Sequence, residues 1–162
     1  MTIYLSHGAD DKSAAEDIAR KLRLTPSLHN EAFESSLPSV CVSGGDIAEY
    51  LHALSRSDNA RAVFIPRIAR LFPMPAKDRD GRKIPHEEIK PLILRHDAKP
   101  FYSPQMMLNY FIFQKNYDCI SFALFDDARS ISEKLRLAKR LGFKSAFLAY
   151  RSIYDIIGNI FF

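Results

Sequence analysis

Short clusters of residues that can move protons or hold anions recur along this chain: Ser6, His7 and Asp10; Ser43, Gly44, Gly45 and Asp46; Arg67; Asp126 and Asp127; Tyr150 and Arg151. Histidine beside carboxylates suits general acid–base work, and arginine beside hydroxyls suits anion binding. Each cluster follows a strand-like apolar run, and in an α/β sheet ligands bind beyond the carboxyl ends of the strands. His7, Ser43, Asp46, Asp126, Asp127, Tyr150 and Arg151 are therefore the candidate ligand-binding residues. A plainer role stands beside this one. Side-chain oxygens gather at helix starts to accept free backbone N–H groups. On that reading Asp46, Asp126 and Asp127 only cap helices, and His7 packs in a loop.

Ser43-Gly44-Gly45-Asp46 can turn backbone N–H groups toward a phosphate at a helix start. It is neither a G-x-G-x-x-G nor a P-loop sequence, and an ordinary tight turn explains it equally. His86-Glu87-Glu88 is not the H-E-x-x-H zinc motif, and the histidines at 7, 29, 52, 86 and 96 show no ligand spacing. Cys41 and Cys119 lack a CxxC neighbour, so no metal and no cofactor is expected. Both lie in apolar runs, as buried structural thiols of a reducing compartment do.

The elements that must position these residues follow from periodicity. Residues 2–6, 39–42, 61–65, 118–125 and 145–150 read as strands. The run 118–125 is apolar nearly throughout, as a strand covered on both faces should be. Helices are expected after a capping box at Ser13-Ala-Ala-Glu16, around Ile47, Tyr50, Leu51 and Leu54, over 87–94, after a capping box at Ser130-Ile-Ser-Glu133, and around Ile153, Ile156, Ile157 and Ile160. Gly142, followed by Phe143, fits the left-handed end of the fourth helix. Residues 24–37 and 72–85 read as loops. Residues 100–116 read as a short strand followed by a helix containing Met106, Met107 and Tyr110. Strands alternating with amphipathic helices imply one α/β domain over 1–162, a mainly parallel sheet of about five strands with flanking helices, partial-barrel-like or flavodoxin-like.

Composition sets bounds. A chain of 162 residues, 47% hydrophobic, is neither disordered nor a disulfide scaffold. It is too short for a complete eight-unit (β/α) barrel, which takes about 200–250 residues or more. Residues 1–60 hold 5 Lys/Arg and 9 Asp/Glu; the remainder holds the other 18 and 10, a net charge of +8. A basic surface attracts anionic partners, although the basic residues are not interleaved with aromatics as in a base-stacking groove. No signal peptide and no run of ~18 apolar residues is evident, so a cytoplasmic location and no membrane partner are expected.

Phe101-Tyr102-Ser103, then Asn109-Tyr110-Phe111-Ile112-Phe113, then Phe125-Asp126-Asp127-Ala128-Arg129-Ser130-Ile131 with Lys134 and Leu135, then Gly142-Phe143, resemble the C-terminal end of glycoside hydrolase family 18, in its bacterial spore and peptidoglycan variety. Residues 85–97 match the preceding helix, and 45–66 more loosely the unit before that. The resemblance implies part of a barrel and a saccharide ligand. The family's catalytic D-x-x-D-x-D-x-E strand is nowhere in this sequence, and its final-strand Trp is replaced by Ala149 or Tyr150. No catalytic residue carries over, so the resemblance implies a barrel remnant without hydrolytic machinery.

Ile3-Tyr4-Leu5-Ser6-His7 with Asp11-Lys12, then Gly45-Asp46-Ile47, Ala53-Leu54 and Ser57-Asp58, more weakly resemble the opening of a Toll/interleukin-1-receptor domain. That likeness implies a flavodoxin-like sheet. The segment carrying the NAD-cleaving Glu of that family is absent, and Glu87 or Glu88 is a poor substitute.

Three functions fit these residues. The first is a non-catalytic glycosidase-related domain for saccharide binding or assembly. The second is a signalling or nucleotide-handling module. The third is an anion or nucleic-acid binder using the basic loop 77–83. An open half-barrel leaves free strand edges, so a homodimer is also expected.

Overall fold

The computed structural model describes residues 1–28, 46–56, 61–75, 81–116 and 119–161. Residues 39–42 and Cys41, expected as a strand, lie outside them, as do Ser43, Gly44 and Gly45. The elements are β1 (Thr2–His7), α1 (Lys12–Leu22), β2 (Thr25–Leu28), α2 (Ile47–Ser55), β3 (Ala62–Phe64), β4 (Ala69–Pro73) and β5 (Arg82–Lys83). A 3-10 turn at His86–Glu88 leads into α3 (Ile89–Arg95). Then come β6 (Phe101–Ser103), β7 (Leu108–Asn116), β8 (Cys119–Phe125), α4 (Ala128–Arg140), β9 (Ser145–Ala149), α5 (Tyr150–Ile153) and α6 (Ile157–Phe161).

The fold is α/β and carries two sheets. A four-stranded sheet runs β2-β1-β9-β3 and is parallel throughout. A five-stranded sheet runs β5-β4-β8-β7-β6 and is antiparallel. In the parallel sheet the last strand, β9, lies beside the first. That is the cyclic neighbour relation of a barrel, not the doubly wound order in which the third parallel strand flanks the first. Tyr4 and Phe147, opposed across β1 and β9, stack with centroids 4.7 Å apart.

Each sheet has its own core. Leu5, Val63, Ala146 and Leu148 of the parallel strands pack against Ala15 and Ala19 of α1, Ile47 and Leu51 of α2, Ile131, Leu135 and Ala138 of α4, and Ile153, Ile157 and Ile160 at the C-terminus. Fully burying one such Leu or Ile contributes roughly 1.5–3 kcal/mol. The antiparallel sheet lays Ala69, Leu71, Phe111, Phe113 and Ala123 on Ile89 of α3. The two bodies are stitched together. The Ile47 amide donates to the Gln105 carbonyl (3.0 Å), the Tyr102 hydroxyl to the Glu133 carboxylate, and Arg129 lies over the Tyr102 ring at 4.4 Å. Burial, then the Glu133 hydrogen bond, pushes the Tyr102 hydroxyl well above its usual range.

Several local expectations change. Within residues 100–116 the expected short strand is β6, but the expected helix is β7, because β6 and β8 pair with it on either edge. The run 118–125 is a strand, but an antiparallel one whose Ile120 is half exposed. Residues 24–37 include β2, where Pro26, lacking an amide, suits an edge strand. Phe72 and Pro73 belong to β4, and Arg82 and Lys83 to β5, so the loop expected over 72–85 is shorter. α1 starts at Lys12, with its N-cap at Asp11, two residues before the Ser13 of the expected box, and without a side-chain cap. α4 is capped by Asp127, whose carboxylate accepts from the Ser130 amide (2.8 Å), while Ser130 Oγ accepts from the Asp127 amide (3.0 Å). Its end is as expected. Gly142 has φ +89°, and the amides of Gly142 and Phe143 return to the carbonyls of Lys139 and Ala138 (both 3.2 Å).

Candidate functional site

The carboxyl ends of β1, β9 and β3 gather most of the residues singled out by sequence. β1 ends in a buried pair. Ser6 Oγ donates to the Leu148 carbonyl at 3.3 Å, tying β1 to β9. His7, 4% exposed, sets Nδ1 3.0 Å from the Gly8 carbonyl. The tautomer protonated on Nδ1 donates there and leaves Nε2 as an acceptor.

β9 runs straight into α5, so Tyr150 and Arg151 stand at the same edge. Arg151 reaches back to the start of α1, where its guanidinium binds Asp11 and, at 3.3 Å, Asp10. Tyr150 lies against Tyr154, with ring centroids 6.3 Å apart and planes at 49°; Tyr154 is 53% exposed.

Past β3 the chain turns at Pro66 and presents Arg67. Its guanidinium donates to the Ser152 carbonyl (2.9 Å) and to Asp155 (2.5 Å), while Nε is buried without a partner. His86 Nε2 lies 3.2 Å from the Arg67 carbonyl. Burial, followed by the Arg67 charge, holds the His86 imidazole below its usual pKa; the hydrogen bond to the Arg67 backbone, then Asp126 and Asp155, oppose this without overcoming it.

Asp126 and Asp127 follow β8 and so do not end a parallel strand. The structure nevertheless brings Asp126 to the exit of β3. Its amide donates to the Ile68 carbonyl (2.7 Å) and its Oδ2 accepts from the Ile68 amide (2.9 Å). Oδ1 accepts from Ser130 Oγ and from Lys134 Nζ, both at 2.6 Å. Asp127 caps α4, and Asp46 caps α2 by accepting from the Ala48 amide at 2.7 Å. Sequence reasoning missed Asp155 and the Asp126–Lys134 pairing, and treated His86 only as a failed zinc motif. Nothing local marks any of them, because each partner comes from another element or from outside its own helix.

Among the described residues no three His, Cys, Asp or Glu side chains cluster as metal ligands, and no helix is long and apolar enough to cross a membrane. A separate cavity of about 470 Å³ lies along α4, lined by Met107, Glu133, Arg136, Lys139 and Arg140.

No family model matches the chain, and no curated protein matches it. Solved structures do. A chitinase from Chromobacterium violaceum is 20% identical with a TM-score of 0.51, over 93% of this chain and 50% of that one. The spore cortex-lytic enzyme SleL of Bacillus cereus is 14% identical with a TM-score of 0.53, over 71% of this chain and 29% of that one. The C-terminal domain of a chitinase from Desulfitobacterium hafniense is 15% identical with a TM-score of 0.50, over 72% of this chain and 39% of that one. The chain therefore spans no more than half the length of these structures. At such identities the likeness is one of fold alone, and it supports a fold like that of glycoside hydrolase family 18 over the part of those chains that is covered.

Proposed function

We propose that this chain is a non-catalytic relative of the family 18 glycosidases that binds N-acetylated oligosaccharides at the carboxyl edge of its parallel sheet. One observation carries the non-catalytic part. Each carboxylate described at or beside that edge is already engaged: Asp10 and Asp11 by Arg151, Asp155 by Arg67, Asp126 by Lys134, Ser130 and Ile68, and Asp46 and Asp127 by helix amides. An acid catalyst needs a carboxyl group free to give a proton to the leaving oxygen. The ligand class is supported by the neighbours, which are named as chitinases and a spore cortex-lytic enzyme. Tyr150 and exposed Tyr154 offer ring surface for a sugar above the buried His7.

The test is a titration of chitotriose and chitopentaose into the protein, followed by amide NMR and calorimetry. Shifts centred on His7, Tyr150 and Tyr154, lost in Tyr150→Ala, with no cleavage products after prolonged incubation, are expected. Absence of both heat and shifts at millimolar sugar overturns the binding arm. Released shorter oligosaccharides overturn the non-catalytic arm.

A further inference from the structure

Among the described residues, four large hydrophobic side chains of the antiparallel sheet and its border, Met74, Phe101, Ile112 and Ile120, are 48–58% exposed. Phe101, Ile112 and Ile120 belong to the face of the antiparallel sheet turned away from α3, and Met74 follows β4 beside them, its amide donating to the Ile120 carbonyl (2.8 Å). Register puts Lys83, Arg70, Leu124, Tyr110 and Phe101 in one row across its five strands, and Phe72, Phe122 and Ile112 in the next. Directly opposed residues share a face. By this register no Asp or Glu stands on it among the described residues, and its charged members are cations. Lys99, beside β6, adds another, 5.9 Å over the Phe101 ring.

The ring geometry narrows what this face fits. Phe101 stacks on Tyr110 (5.7 Å, 29°) and Tyr110 on Phe122 (5.3 Å, 27°), with Phe72 edge-on to Phe122 at 6.5 Å. The rings spend their faces on one another, so a base or a sugar finds little flat surface to stack on. A second copy laid on this face in register sets cations against cations. What matches is an extended apolar layer bordered by negative charge.

We propose that this face docks on an anionic lipid bilayer, with Phe101, Ile112, Ile120 and Met74 entering the headgroup boundary and Lys83 and Lys99 meeting lipid phosphates. The expectation of no membrane partner rested on the lack of a spanning segment, a criterion blind to surface docking.

The test is co-sedimentation of the full chain with vesicles of phosphatidylcholine alone and of phosphatidylcholine with 30% phosphatidylglycerol. Binding to the anionic vesicles, weakened by salt and much lower on neutral ones, is expected. Ile112→Glu should weaken it roughly tenfold or more, and Lys83→Glu with Lys99→Glu by at least about 25-fold, taking about fivefold per charge. Circular dichroism and thermal unfolding identify variants that fold normally. No pelleting with anionic vesicles at low salt overturns the proposal. So does full binding by folded Ile112→Glu, which would mean adsorption through charge elsewhere. A concentration-dependent dimer abolished by Ile112→Glu, without vesicle binding, assigns the face to a second copy instead. Chitotriose shifts centred on Tyr110 and Phe122, without vesicle binding, assign it to saccharide.

Discussion

Asp126 and Lys134 meet at 2.6 Å with neither side chain exposed to solvent. The lysine belongs to the inner face of α4, and the aspartate to the turn that links the antiparallel sheet to that helix. Ser130 Oγ and the Ile68 amide complete the carboxylate's shell. The pair thus fixes where one sheet meets the other.

Removing one partner leaves a buried charge alone, which typically costs about 3–5 kcal/mol. Lys134→Met is therefore expected to lose stability on that scale in urea unfolding. Lys134→Met combined with Asp126→Asn should lose clearly less than the two single losses added together. Strict additivity would show that the two charges do not depend on each other.

His86 makes stability sensitive to pH. Its folded pKa lies below the usual 6.5, so the unfolded chain binds the extra proton first as pH falls. Stability is full above 6.5 and declines below it, toward the folded value. The melting temperature should fall between pH 7 and pH 5 in the wild type and fall less steeply in His86→Gln. Equal slopes in both proteins would assign the pH response to other groups.

Glu133 adds a second response at lower pH. Burial works against its ionisation, but hydrogen bonds from Tyr102 and Arg129 outweigh it and hold the carboxyl below its usual range. That stability is present above the ordinary carboxylate range and disappears as pH drops through the folded value. Tyr102→Phe should shrink the acid-side loss, measured by unfolding at pH 3–5.

The parallel half of this architecture was readable because its helices carry local marks. Gly142 and Phe143 announce the end of α4, and Ile47, Tyr50, Leu51 and Leu54 announce α2. In the antiparallel half β8 was readable as a strand, but β7 was not, because it is apolar on both faces. Phe111 and Phe113 face the core while Tyr110 and Ile112 face outward, so 109–113 shows no alternation to separate strand from helix. The Ser130 box was off by one turn because Ser130 fits both ends of such a motif. Asp127 wins the cap position and Ser130 becomes its partner. The site was legible as residue types at strand ends. Its pairings, Arg67 with Asp155 and Arg151 with Asp11, join elements about 90 and 140 positions apart, and no local pattern encodes such distances.

Gly81 and Gly142 separate two reasons for glycine. Both have positive φ, +61° and +89°. A Cβ on Gly142 meets nothing within 4 Å, whereas one on Gly81 lies 2.7 Å from the Phe72 ring and 2.8 Å from the Leu71 carbonyl. Gly142→Ala carries only the backbone penalty, about 1 kcal/mol. Gly81→Ala adds a clash against main chain, which cannot swing aside, so β4 and β5 must part. It should cost clearly more, up to about 3 kcal/mol, and it should also disturb Phe72 on the outer sheet face. Thermal unfolding ranks the two, and fluorine NMR of fluorophenylalanine-labelled protein reads the ring. Equal losses with an unmoved Phe72 signal would mean that the β4–β5 turn has room that its geometry denies.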